Sequence, residues 1–195
     1  MKKLILVLAS VFTLSSCTVL EQVAGAFNFS QCEYTYNSLS GIQLAGINIG
    51  DASSLSLVNL TKIATILSGK SLQTIPFNMT LNLNVKNPNV GVAALEAMDY
   101  AISINEMDFT SGKLDVPVRI EGGQTKVIPI SIGTDLMKLI NRYSQDRVAS
   151  EMGSFFGIKS GETKVTVKLW PSILVGSTPV KSPAAIPIVF NFGGK

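Results

Sequence analysis

Residues 77–91 read FNMTLNLNVKNPNVG. Phe77, Met79, Leu81, Leu83 and Val85 alternate with Asn78, Thr80, Asn82, Asn84 and Lys86. Successive side chains of a strand point to opposite faces, so this register predicts a half-buried β-strand over roughly 75–87. Pro88 ends it, because proline has no N–H for a ladder and holds Asn87 extended. Asn87 and Asn89 are residues that cap local backbone groups. Asn89 and Gly91 also tolerate the positive φ of a turn. The tripeptide Asn87-Pro88-Asn89 is therefore read as strand punctuation rather than as a ligand site.

The same alternation recurs downstream. Met98, Tyr100, Ile102 and Ile104 form one apolar face, and a turn at Asn105-Glu106 leads to Met107 and Phe109. Leu114, Val116, Val118 and Ile120 read as the inward face of a further strand with Pro117 outward, an arrangement suited to a sheet edge. Glu121-Gly122-Gly123-Gln124 reads as a tight hairpin into a return strand with Ile128, Ile130 and Ile132 inside and Pro129 outside. Thr163, Val165, Val167 and Leu169 make another strand, ended by Trp170-Pro171. Ile186, Ile188, Phe190 and Phe192 make the last.

Two stretches carry helical spacing instead. Leu55 to Ser68 is apolar at Leu57, Leu60, Ile63, Ala64 and Leu67, with Gly69 as a stop. Thr134-Asp135 opens a second helix whose stripe is Leu136, Leu139, Ile140 and Tyr143, continuing through Val148, Met152 and Phe155. Upstream, Ile42 and Leu44 fall out of phase with Ile47 and Ile49 at Ala45-Gly46, which reads as a bulge or bend within one strand. Short strands at regular spacing with glycine and proline turns predict a mainly β protein. The expected architecture is an antiparallel β-sandwich with one helix before the main sheet block and one inserted in it.

The first residues are of another kind. Lys2 and Lys3 precede an apolar run from Leu4 to Phe12 that is too short to span a bilayer, and Leu14-Ser15-Ser16-Cys17 follows. Small residues directly before a cysteine resemble the bacterial lipobox. That resemblance implies cleavage before Cys17, a diacylglycerol on its thiol and an acylated new N-terminus. The expected organisation is a lipoprotein signal peptide at 1–16, a lipidated tether at 17–31 and a single domain at 32–195. Val19, Leu20, Val23, Phe27 and Phe29 are apolar residues that either pack on the domain or rest at the lipid interface. Thr18, rather than aspartate, follows Cys17, so the outer membrane of the bacterial envelope is the expected location.

Composition narrows the chemistry. The net charge of +3 falls to 14 basic against 13 acidic residues once Lys2 and Lys3 are removed, and no long basic run exists, so nucleic acid is not an expected partner. Cys32 is the second of two cysteines and reads as a small buried residue, so no disulfide framework is expected. The chain has no histidine, which removes Ser-His-Asp and Cys-His catalysis and His-ligated zinc. Asp99, Glu106, Asp108 and Asp115 have no metal-loop spacing and read as solvated carboxylates. Asp146, Arg147 and Glu151 read as an exposed helix face, and Trp170 as a plug at the end of the core. Asn28, Asn59 and Asn78 open chance glycosylation tripeptides. No catalytic residue, cofactor or metal is expected, and Cys17 is the expected lipid attachment site.

From Asn78 to Ile132 the chain resembles the water-stress and hypersensitive-response (WHy) domain, also called the type-2 late-embryogenesis-abundant (LEA) domain. The residues that carry this are Val85-Lys86-Asn87-Pro88-Asn89, the Tyr100-x-Ile102-x-Ile104 strand, the Ser111-Gly112 turn and Ile128-Pro129-Ile130. The resemblance implies a fibronectin-III- or immunoglobulin-like sandwich and an association with stress protection. The 15% charged residues agree with a folded member rather than with the disordered LEA classes. The expected function is a non-enzymatic lipoprotein, attached to the membrane through its N-terminal lipid, with a binding or structural role towards a lipid or protein partner. The alternative is a carrier of an apolar ligand, such as a lipid, held between sheet and helices.

Overall fold

The computed structural model describes residues 19–50, 65, 73–156, 161–175 and 178–192. Eleven strands fall into two facing antiparallel sheets and one small ribbon among these residues. The first sheet has the order β2 (Ile47–Gly50), β1 (Glu33–Leu44), β3 (Pro76–Lys86), β8 (Thr125–Asp135). In the second, β9 (Thr163–Val175) lies between β5 (Ala97–Ile104) and the pair β10 (Thr178–Lys181) and β11 (Ile186–Phe192), and β6 (Met107–Leu114) flanks β5. β4 (Ala93–Leu95) pairs with β7 (Val118–Ile120) alone. This is the mainly β, antiparallel sandwich that the alternation predicts.

β3 is the spine. Its inward residues Phe77, Met79, Leu81, Leu83 and Val85 are all buried, and each outward neighbour is at least partly exposed. β3 pairs with β1 on one side and with β8 on the other along its whole length. Its inward row meets Met98, Tyr100, Ile102 and Ile104 of β5 and Val165, Val167 and Leu169 of β9 in one continuous core. Pro129 sits on β8, the outer strand of its sheet, where a missing donor faces no partner.

The seams between the two sheets are closed by side chains. Tyr100 reaches from β5 across β6 to donate its hydroxyl to the Ser131 carbonyl of β8 at 2.6 Å. Gly112 opposes Tyr100 on β6, and a Cβ there would lie 2.5 Å from the tyrosine oxygen, so glycine is what lets the ring cross. Thr110 Oγ1 donates to the Gly133 carbonyl at 3.0 Å beside it. On the opposite seam, Tyr36 of β1 meets Phe190 and Phe192 of β11 edge to face, at 6.2 and 4.9 Å between centroids.

Several expectations are corrected. Ala45 and Gly46 both have positive φ (50° and 78°), and Leu44 pairs with Ile47, so the phase slip is a two-residue hairpin turn between β1 and β2. The strand expected over 114–120 is two pieces: β6 ends at Leu114, Val116 is 58% exposed, and β7 begins at Val118. The Gly122-Gly123 turn forms, with Gln124 N–H donating to the Glu121 carbonyl at 3.1 Å, yet it joins strands with different ladder partners, β4 for β7 and β3 for β8. β9 runs on through Trp170-Pro171 to Val175. The Pro171 carbonyl accepts from Ser182 N–H at 2.8 Å, and N–H and C=O of one strand residue share an edge. The proline nitrogen therefore faces the place where β9 changes partner from β11 to β10, so the one bond it cannot donate lies at the end of the β10 ladder.

The inserted helix is two helices, α2 (Leu136–Tyr143) and α3 (Gln145–Phe155), broken at Ser144 with φ 83° and ψ 153°. Asp135 opens α2 as expected, accepting from Met137 N–H at 3.0 Å and also from Ile75 N–H at 2.8 Å. Phe155 and Phe156 at the end of α3 stack edge to face on Phe192 and Phe77, which closes this end of the sandwich. The helix expected from Leu55 to Ser68 lies outside the described residues, apart from helical Thr65.

Truncating Leu83 to alanine tests the central position of β3. Leu83 is 1% exposed on a strand paired along both edges, so Leu83→Ala should lower the unfolding free energy by about 2–5 kcal/mol in urea titrations. A variant as stable as the parent chain would overturn the assigned strand face.

Candidate functional site

At the far end of β3 from the phenylalanine cluster, Asn87 is fully buried. Its Nδ2 donates to the carbonyls of Gly91 at 2.8 Å and Ile120 at 3.0 Å. Its Oδ1 accepts from Asn89 N–H and Asn89 Nδ2, both at 3.0 Å. The backbone of Asn87 pairs with the turn before β8, donating to the Gln124 carbonyl at 2.9 Å and accepting from Gly123 N–H at 2.8 Å. One residue thus joins the end of β3, the 88–91 loop, the end of β7 and the start of β8. Asn89 then donates from Nδ2 to the Asn28 carbonyl at 3.1 Å. The punctuation reading holds, with a change: neither Asn89 nor Gly91 has positive φ, and Asn89 acts through its side chain.

Asn28 belongs to a helix, α1, over residues 19–30. The sequence reads 17–31 as a tether, whereas residues 19–30 are helical and dock on the sandwich. Phe29 is fully buried with its ring 5.8 Å from that of Tyr34, and Tyr34 donates its hydroxyl to the Phe29 carbonyl. Asn28 Nδ2 donates to the Val92 carbonyl at 3.0 Å, and the Gln22 side chain accepts from Leu174 N–H at 2.8 Å. Buried Gly25 lies against β4, where a Cβ would come within 3.1 Å of Ala94 Cβ, so its lack of a side chain lets helix and strand approach. Chain periodicity missed α1 because its apolar residues lie on two faces rather than one.

The second apolar face points away from the core. Leu20 is 68% exposed, Val23 46% and Phe27 61%. At about 100° per residue these three share one side of α1, opposite Gly25 and Phe29. Val23 and Phe27 also wall a groove of about 530 Å3. Ile173 of β9, Val180 of β10 and the Pro-Ala-Ala-Ile-Pro run 183–187 supply most of its other apolar wall, and Ser30 and Ser182 add hydroxyls. Lys181 is the charged residue of this lining, and it is engaged: its Nζ lies 2.7 Å from Asp99 Oδ2 and 4.7 Å from the centroid of the Trp170 ring. Its size and apolar walls suit a hydrocarbon chain more than a polar ligand.

The remaining candidates are dispersed. Asp108 pairs with Arg142 at 3.0 Å, and Asp99 with Lys181, so these carboxylates share no centre. Among the described residues no three acidic or cysteine side chains gather as a metal site. Glu151 accepts from Asn105 Nδ2 and Arg147 lies over the Tyr143 ring at 5.2 Å, so the expected exposed charged face of α3 is partly engaged. A cleft of about 390 Å3 beside α2 mixes Ile102, Phe109 and Leu139 with Asp108, Lys138 and Arg142. Buried Cys32 donates its thiol to the Asn28 carbonyl at 3.5 Å. Burial, then the Glu33 carboxylate, pushes that thiol up to about 11. Tyr34 is raised too, by burial and by Cys32. Cys17 and Asn59 lie outside the described residues. No described helix is long and apolar enough to cross a membrane.

No family model matches the chain. A search of curated proteins also finds no match. Among solved structures, a protein from Archaeoglobus fulgidus covers 65% of this chain and 91% of its own, at 17% identity and a TM-score of 0.35. A second, described as a candidate late-embryogenesis-abundant protein and solved in solution, covers 98% of this chain and 87% of its own, at 12% identity and a TM-score of 0.36. These scores are too low for either neighbour to carry an inference, and the architecture rests on the strand pairing itself.

Two measurements test the chemistry of this end. In Asn87→Asp, a fully buried carboxyl would face the Gly91 and Ile120 carbonyls. Its folded pKa should rise above the ordinary value of about 3.9. The loss of stability should therefore be small below that pH and grow as pH rises through the folded value. A uniform loss across pH would overturn the buried-amide geometry. For Cys32, the unfolded thiol ionises near 9.0 and the folded one near 11. Its stabilising contribution is complete below pH 9.0 and is lost as pH rises towards 11. Thermal melts of Cys32→Ala should fall less steeply over this range than those of the parent chain; parallel curves would overturn the assignment.

Proposed function

We propose that this chain is a non-enzymatic, lipid-anchored protein of the bacterial envelope, attached through Cys17, that binds an apolar ligand in the groove between α1 and β9–β11. The observation that carries this reading is the groove, an apolar furrow walled by Val23 and Phe27 and begun only a few residues after the lipobox-like Leu14-Ser15-Ser16-Cys17. The core between the sheets is filled by one packed cluster, and the smaller cleft between the sheet and α2 is walled partly by Asp108, Lys138 and Arg142, so the groove beside α1 suits an apolar ligand better. The resemblance to WHy domains adds a stress-linked setting, in which binding to an envelope component would matter most. The outer membrane is the proposed location, because Thr18 follows Cys17.

The anchor and the groove have separate tests. Intact mass of the full chain made in a bacterium should show removal of residues 1–16 and the added mass of lipid on Cys17. Cys17→Ser should keep its first sixteen residues and lack that mass, and an unmodified wild-type chain would overturn the anchor. For the groove, native mass spectrometry should find an apolar molecule co-purifying with the full chain. Ala185→Trp, which places a large ring on the lining, should deplete it without lowering the melting temperature. Equal loading of the two proteins, or an empty wild type, would overturn the groove as a binding site.

A further inference from the structure

We infer that the outward face of α1 docks into the surface of the anchoring bilayer and turns the mouth of the groove towards lipid. This rests on the proposed anchor at Cys17. Leu20, Val23 and Phe27 are exposed apolar residues three and four positions apart, a spacing that keeps them on one side of the helix. The domain side of the same helix is already satisfied by Phe29, Gly25, Gln22 and Asn28. The stripe is thus surplus to folding. A helix with one face spent on its own domain and a second apolar face in water needs something to cover that face.

Chain length says what covers it. Thr18 alone separates Cys17 from the described start of α1. Three residue steps, at about 3.8 Å each, hold Leu20 within about 11 Å of Cys17. A bilayer gripping the acyl chains of Cys17 therefore lies beside the first turn of α1. From Leu20 to Phe27 the helix advances about 10 Å, at roughly 1.5 Å per residue. The stripe runs along the axis, so it meets the bilayer when the helix lies flat in the interface, its apolar side sunk about 5–10 Å to the headgroup boundary. Val23 and Phe27 belong both to the stripe and to the groove wall, and exposed Val180, Pro183 and Ala184 continue the apolar surface beyond them. Seating the stripe thus presents the groove to the acyl region, and its ligand comes from the bilayer and not from the aqueous phase.

Tryptophan reporters in the full chain test this. The chain has one tryptophan, so Trp170→Phe gives a silent background for Leu20→Trp, Phe27→Trp and Ile47→Trp. Ile47 is 39% exposed on the β1–β2 hairpin, at the opposite end of β3 from α1. The proteins are reconstituted into phosphatidylethanolamine–phosphatidylglycerol vesicles containing a lipid brominated on its acyl chains. Emission from positions 20 and 27 should shift to the blue and be quenched by bromine, while that from position 47 stays water-like and unquenched. Equal, water-like emission at all three positions would overturn the docking. A blue shift at 20 and 27 without bromine quenching would also overturn it, since another protein surface would then be the cover.

The same readout separates this inference from the anchor. Cys17→Ser carrying Phe27→Trp in the Trp170→Phe background, with residues 1–16 removed so that their apolar run does not itself bind lipid, should still co-sediment weakly with vesicles and be quenched in its bound fraction. Adding Leu20→Asp and Val23→Asp should lower its partition at least about tenfold. If lipid is absent from wild-type Cys17 yet bound protein is quenched at position 27, the anchor fails and the docking stands. If lipid is present and position 27 is unquenched, the docking fails and the anchor stands.

Discussion

The buried carboxamide of Asn87 is the constraint on which this end of the molecule depends. Leaving a buried polar group unpaired costs about 1–3 kcal/mol, so such a group dictates the positions of its partners. Here both amide hydrogens and the carbonyl oxygen are used, and the partners belong to different segments. The carboxamide fixes where β3 stops, how the 88–91 loop folds back, and where β7 hands over to β8. Through Asn89 and the Asn28 carbonyl it also fixes the seat of α1. Apolar burial along β3 drives the sheets together without direction. The directional content at this end comes from one amide.

The parts of the fold legible in the sequence are those where a single local rule acts. Strict period two in β3, β5, the 128–132 part of β8 and β11 identified both strand and inward face, because each has one wall of core and one of solvent. Asp135 was legible as a helix start because a side-chain acceptor there satisfies free N–H groups. What escaped depends on partners distant in sequence. Pro171 looked like a stop, yet the strand runs through it at the point where β10 replaces β11 as partner, and the missing donor falls at the end of a ladder. Ser144 carries no sequence mark for the positive φ at which α2 breaks from α3. β4 and β7 are three residues each and pair across an interval of sequence that no periodicity spans.

The candidate site was legible in a different sense. Its apolar residues were visible in the segment after Cys17 and were left between two alternatives, packing on the domain or resting at lipid. The structure divides them: Phe29 packs, while Leu20, Val23 and Phe27 do not. The groove itself was not legible, since its far wall comes from residues 171–187, more than 140 positions away along the chain. The 183–187 run has two prolines and two alanines, which give apolar surface with no strand or helix period to announce it.

The two faces of α1 also bear on how rigidly the domain would sit on the proposed anchor. A flexible tether would let the domain rotate freely above a membrane, and no face of it would be favoured. A helix clamped by Gly25 against Ala94, by Phe29 in the core and by the Gln22–Leu174 and Asn28–Val92 hydrogen bonds cannot turn independently of the sandwich. The orientation of the outward stripe is therefore the orientation of the whole domain, and of the groove that shares Val23 and Phe27 with it. At this end the buried polar groups are spent on the Asn87 network and on the seat of α1. What the fold leaves unspent at this end is hydrocarbon surface, held in a fixed direction by hydrogen bonds.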